Sequence, residues 1–145
     1  MGGTLVRTAA VRAELLRIVT YNIHKSRGLD TRMRPERIAE VLEHLDADVI
    51  ALQEVVRGKG AADQLKVIEG ELKGYRSCFG ETRKIGAAGY GNAVLSRLPI
   101  AGHHHYDLTA SWREDRGCLR VDEGTRRSQL HVFVREWDDA VPAVE

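Results

Sequence analysis

Two short polar segments of this 145-residue chain sit where backbone geometry can concentrate chemistry. Tyr21-Asn22-Ile23-His24-Lys25 follows the β-branched run Ile18-Val19-Thr20, and Gln53-Glu54-Val55 follows Val49-Ile50-Ala51-Leu52. Both runs read as buried strands whose ends point the same way, and sites in open α/β sheets form at strand ends. An amide, Asn22, beside a carboxylate, Glu54, suits a hard cation such as Mg2+, or Mn2+ in its place. That ion takes oxygen ligands, keeps several waters, and binds through one or two carboxylates plus a substrate phosphate. It would polarise a phosphoryl oxygen and orient or acidify a water nucleophile. Spacing alone leaves a second reading open, in which Asn22 caps a loop and Glu54 is a solvated strand-end residue.

Four further positions could bear on phosphate chemistry. His24 can ligate Zn2+ or, when charged, touch a phosphate. Lys25 could offset phosphate charge or simply face solvent. Asn92 follows the glycine-rich segment Gly86-Ala87-Ala88-Gly89-Tyr90-Gly91, so it could hydrogen-bond at the rim of a site or serve as a turn residue. Arg116 could clamp phosphate bidentately or be merely exposed. His103-His104-His105 does not make a metal site on a strand, because successive side chains face opposite sides.

Stepping from these residues to the elements that hold them, Leu16 to Tyr21 reads as a first strand. Pro35 suits a first helical turn. Ile38, Val41, Leu42 and Leu45 recur on one helical face, and Val49 to Leu52 forms the next strand. Leu65, Ile68 and Leu72 mark a second helix closed by Gly74. Short strands are then expected at Tyr75–Phe79, Ala93–Leu95, His103–Leu108, Leu119–Val121 and Leu130–Val134. This order predicts an α/β sandwich with mixed sheets.

The composition fits one soluble domain: 43% hydrophobic, 30% charged, with 14 glycines. A net charge of +1 lacks the basic excess typical of duplex nucleic-acid binders. Cys78 and Cys118 match no zinc spacing, and a reduced cytoplasmic setting is the default expectation. No stretch approaches transmembrane length, and the first 15 residues read as a short extension.

Three linked segments carry a family resemblance: Thr20-Tyr21-Asn22-Ile23-His24-Lys25, Ala47 to Val55, and Tyr90-Gly91-Asn92-Ala93-Val94-Leu95-Ser96-Arg97-Leu98-Pro99-Ile100. In this order they resemble the endonuclease/exonuclease/phosphatase superfamily across residues 16–133. The resemblance implies the N-terminal part of a four-layer α/β sandwich like that of deoxyribonucleases, and Mg2+-dependent hydrolysis of a phosphate ester. It implies that Glu54 binds the metal and that Asn22 contacts metal site and phosphate. His24 falls where some relatives place a metal-binding aspartate. The Tyr-Asn-Ile-His-Lys form is nearer to hydrolases of small or lipid-derived phosphodiesters than to DNA-repair enzymes.

The pattern then breaks. The family's Asn-x-His-Leu, Gly-Asp-x-Asn and Ser-Asp-His segments have no counterpart, and residues 134–145 read as an off-pattern tail. Two expectations follow: a phosphoesterase with an incomplete catalytic set, or a non-catalytic remnant or binding fragment. The second sheet is expected to come largely from outside the chain, leaving an apolar sheet face that invites self-association.

Overall fold

The computed structural model describes residues 15–26, 32–60, 63–112, 114–125 and 128–135. The expected extension, apart from Leu15, and the tail beyond Arg135 lie outside the described residues. So do Arg126 and Arg127, whose basic pair reads in the sequence as a hairpin turn.

Strand β1 (Ile18–Asn22) leads through a short 3-10 turn (His24–Ser26) to helix α1 (Pro35–Leu45) and strand β2 (Val49–Arg57). Helix α2 (Gln64–Glu71) is followed by strands β3 (Arg76–Ile85), β4 (Ala88–Ser96), β5 (Ile100–Asp107), β6 (Gly117–Thr125) and β7 (Ser128–Arg135). The first sheet runs β1-β2-β4-β3, with β1 parallel to β2 and the other pairs antiparallel. The second is the antiparallel meander β5-β6-β7.

The strands are longer than their apolar runs suggest. Gly89 to Asn92 is strand rather than turn, and the hairpin between β3 and β4 turns at Gly86-Ala87, where Gly86 adopts a φ of 58°. Asn92 is therefore mid-strand, opposite Gly80. A strand tolerates these glycines because something packs close: a Cβ on Gly91 would collide with the Gly80 carbonyl oxygen. Toward the C-terminal end, β7 runs Ser128–Arg135, one residue past the expected end of the strand at Val134.

Period-2 alternation gives the first sheet two buried faces. Ile50, Leu52, Ala93 and Leu95 pack with Ala39 and Leu42 of α1 and Leu65 and Ile68 of α2. Val49, Ala51, Cys78 and Val94 face Leu119, Val121, Val132 and Val134 of the second sheet. The expectation of a bare sheet is thus corrected: β5–β7 supply cover from within the chain, with Leu119 and Val121 of β6 and Val132 and Val134 of β7 turned inward at alternate positions. Apolar side chains among the described residues stay open on the edge strand β1, where Ile18 is 51% exposed, and on the outer side of β7, where Phe133 is 62% exposed. Among the described residues no helix is long and apolar enough to cross a membrane.

One charged group interrupts the inter-sheet core. Glu123 is 1% exposed, and neither carboxyl oxygen has a well-aligned hydrogen-bond partner. Burial raises its pKa, offset only in part by the Ser96 hydroxyl beside it. The folded state therefore holds a proton that the unfolded chain releases above the ordinary carboxylate range, so this group lowers stability as pH rises through that range. We expect Glu123→Gln to raise the midpoint of thermal unfolding at pH 8, by a gain of about 1–3 kcal/mol. It should also flatten the decline between pH 5 and pH 8. A variant no more stable than the parent at pH 8 would show that the carboxyl is satisfied in solution.

Candidate active site

The site is built where β1 and β2 end together. In a regular strand Val55 would face the second sheet, since Ile50 and Leu52 face the helices. A bulge between Leu52 and Val55 shifts the alternation by one residue, returning Val55 to the helix-side core. Glu54 takes up the extra residue with a φ of 57°. His24 and Lys25 also have left-handed backbone, at 47° and 58°. Non-glycine residues in this region are sparse and strained, and such strain clusters at functional sites.

The bulge swings the Glu54 carboxylate to Asn22. The Asn22 Nδ2 donates to Glu54 Oε1 at 3.0 Å, and Asn22 Oδ1 accepts from the His24 backbone N–H at 3.0 Å. The His24 Nδ1 lies 3.6 Å from Glu54 Oε2, too far for a hydrogen bond, so that oxygen keeps its lone pairs for another ligand. Two glutamines brace the arrangement. Gln53, 5% exposed, donates to Thr20 Oγ1 at 2.9 Å and so ties β2 to β1. Gln64, 3% exposed, donates to the Lys25 carbonyl and accepts from the Val56 N–H at 3.0 Å, fastening the 3-10 turn to β2. Neither glutamine was marked by sequence; Gln64 follows the helix-capping Asp63, which accepts from Lys66 N–H, and that cap was its nearest signal.

The other candidates lie one and two strands away. Asn92 is fully buried between the sheets, and its Nδ2 donates to the Gly117 carbonyl at 3.3 Å. It therefore clips β4 to the start of β6 and holds the Gly117-Cys118 peptide, next to Arg116, in place. The His105 ring lies against Gly80 and Gly117, where any Cβ would collide with it. His104 instead faces outward and packs edge-on against Tyr106, ring centroids 4.5 Å apart. Thus the three histidines do not converge, as strand alternation requires. Arg116 pairs with Glu114 at 3.2 Å. Beside this end, the Thr109 hydroxyl and N–H hold the Asp107 carboxyl below its ordinary pKa. Among the described residues no three His, Cys, Asp or Glu side chains are grouped to hold a metal. A polar cleft lined by Arg17, Asp46, Asp48 and Arg97 lies at the opposite end of the first sheet. Its charges are mutually paired, the two guanidiniums helping to hold the Asp46 carboxyl below its ordinary pKa, Arg97 foremost.

Helices over a mixed sheet, with a second sheet on its other face and a strained carboxylate at adjoining strand ends, define a two-sheet α/β sandwich. Residues 19–141 match the Endonuclease/Exonuclease/phosphatase family, and the chain belongs to it. No curated protein matches it by sequence. Among solved structures, it is similar to an endonuclease/exonuclease/phosphatase from Beutenbergia cavernae DSM 12333, with 24% identity and a TM-score of 0.76 over 88% of this chain and 39% of that one. It is similar to the mannosyl-6-phosphatase Bt3783 of Bacteroides thetaiotaomicron VPI-5482, with 18% identity and a TM-score of 0.64 over 83% and 50% of the two chains. It is also similar to D. rerio TDP2 complexed with single strand DNA product, with 16% identity and a TM-score of 0.64 over 87% and 48%. These likenesses establish the fold. The chain spans about two fifths to one half of the length of these three structures.

The strained backbone at Glu54 yields a stability test. An alanine there keeps a Cβ in the left-handed region, whereas glycine does not suffer from it. Glu54→Gly should therefore unfold at a higher temperature than Glu54→Ala, by a margin worth about 1 kcal/mol. An alanine variant as stable as the glycine variant would mean that the bulge is absent in solution.

Proposed function

We propose that this chain carries the metal- and phosphate-binding half of a phosphoesterase active site, with Asn22 and Glu54 at its centre. The observation that carries the reading is the Asn22–Glu54 hydrogen bond at adjoining strand ends, made possible by a strained bulge. The donor set fits a hard cation: one carboxylate oxygen, Glu54 Oε2, is not committed to a hydrogen bond, and the carboxyl is partly open to solvent. Glu54 would hold Mg2+ or Mn2+, with Asn22 fixing the carboxylate and reaching the ion directly or through water. When bound, such an ion polarises a phosphoryl oxygen and acidifies a water.

The remaining residues bind and orient. His24, 69% exposed at its side chain, would meet a phosphate oxygen beside Glu54 when protonated. Arg116 would hold phosphate through its planar fork, and Asn92 would keep that arginine positioned. Residues Gly-Asp-x-Asn and Ser-Asp-His, which the family resemblance assigns to nucleophile positioning and general base, are absent from this sequence. Phosphate-ester hydrolysis depends on several groups preorganised around one phosphorus atom. The near-neutral net charge supports a small or lipid-derived phosphate ester over DNA.

Titration with Mn2+, followed by electron paramagnetic resonance, tests the reading. The chain should bind the ion, Mg2+ should compete, and Glu54→Gln should weaken binding by at least about tenfold. Equal binding by Glu54→Gln would overturn the assignment. Hydrolysis of bis-p-nitrophenyl phosphate by the chain should stay at the level of a Glu54→Ala control. Turnover that Glu54→Ala abolishes would show that the groups present suffice.

A further inference from the structure

Two arginines from different sheets close on one carboxylate beside the site. Arg83 lies on β3 and Arg116 immediately precedes β6. Arg83 Nη1 contacts Glu114 Oε1, and Arg116 Nη1 lies 3.2 Å from Glu114 Oε2. One carboxylate thus bridges two guanidiniums, each of its oxygens facing one fork. That is how an oxyanion with several oxygens is held when both forks are used.

The two sides of this contact are held very differently. The Arg83 guanidinium stacks on the Tyr90 ring at 4.7 Å, its side chain is three-quarters buried, and its Nε–H is buried without a partner. The Arg116 backbone is fixed by its carbonyl accepting from Leu108 N–H at 2.9 Å and its N–H donating to Thr109 Oγ1 at 3.2 Å. The Asn92 amide anchors the next peptide. Glu114, by contrast, sits on the loop between β5 and β6 with its side chain 48% exposed. The arginines are preorganised; the carboxylate between them is the part that can leave.

Lys25 Nζ lies 5.4 Å from the centroid of the same Tyr90 ring on which Arg83 stacks, so a further cation stands on the Arg83 side of the contact. A phosphate group carries up to two charges and three free oxygens, which match the two forks better than a carboxylate does. Arg83 is opposite Tyr90 and Tyr90 opposite Val56, which puts the Arg83 backbone two strand spacings, roughly 10 Å, from β2 and Glu54.

We propose that Arg83 and Arg116 form a phosphate subsite adjoining the Glu54 centre, and that Glu114 is its built-in occupant, displaced when a phosphate group of the substrate enters. The subsite rests on the phosphoesterase reading for its role and deepens it. It adds Arg83 as the second half of the clamp and selects esters bearing a second phosphate group near the one at Glu54.

Calorimetric titration of the chain with inorganic phosphate tests this, with EDTA present throughout so that metal binding at Glu54 has no part in the result. Glu114→Gln should tighten phosphate binding by about tenfold, because a competing charge-assisted contact is removed. Arg83→Gln and Arg116→Gln should each weaken it at least tenfold, and Arg83→Lys, which keeps charge but loses the fork, should weaken it nearly as much. Lys73→Gln, on a distant loop, should leave it unchanged. Thermal unfolding identifies any arginine variant that fails to fold; Glu114→Gln removes only an exposed charge and keeps the test decisive. Phosphate binding no tighter in Glu114→Gln than in the parent overturns the proposal. A chain that binds Mn2+ through Glu54 but fails here loses the subsite alone.

Discussion

Everything at the site end of this molecule depends on β2, a strand with a neighbour on each edge and apolar cover on both faces. It pairs parallel with β1 and antiparallel with β4, and its side chains feed both hydrophobic cores. A strand so enclosed cannot slip, because a one-residue shift would exchange its two buried faces. The chain breaks the alternation once, between Leu52 and Val55, and the rigid register on either side forces the extra residue outward. Glu54 is that residue. Its left-handed backbone is thus sustained by the packing of Leu52 and Val55 around it.

The same constraint explains why polar groups gather there. Toward the bulge the inter-sheet face of β1 and β2 turns from Val49 and Ala51 to Gln53, Thr20 and Asn22. These are side chains that hydrogen-bond to one another or to the Glu54 carboxylate. Burying amides costs free energy unless they are paired, and each of these amides has a partner. The second sheet contributes in turn: Asn92 reaches across to Gly117, and the glycines at 80 and 117 leave room for the His105 ring. Packing between sheets therefore places Arg116 beside β3 and within reach of the carboxylate that Arg83 also holds.

Two buried carboxyl environments show how location decides chemistry. Glu54 and Glu123 carry the same group. Glu123 is sealed among valines and leucines and is driven toward its neutral form. Glu54 meets an amide donor on one oxygen and solvent on the other side, an arrangement that leaves the second oxygen open to a cation. The difference lies in three-dimensional surroundings that neither residue's sequence neighbours disclose.

Much of this was written in the sequence by itself. The β-branched runs at Ile18 and Val49, the helical spacing of Ile38 and Leu42, and the Tyr-Asn-Ile-His-Lys and Leu-Gln-Glu-Val segments determined the β-α-β start, the pairing of Asn22 with Glu54, and the family. Those signals are local, and local periodicity reports which face of an element is apolar. Tertiary structure decided the rest. The bulge at Glu54 lets both Leu52 and Val55 pack in the helix-side core, and Asn92 lies in a strand because β3 and β2 pair on either side of its glycines. The cover provided by β5 to β7, which sets Val132 and Val134 against Val49 and Ala51, and the Arg83–Glu114 contact, 31 positions apart, join distant parts of the chain. Contacts of that kind have no period along the chain; they exist only after the sheets have stacked.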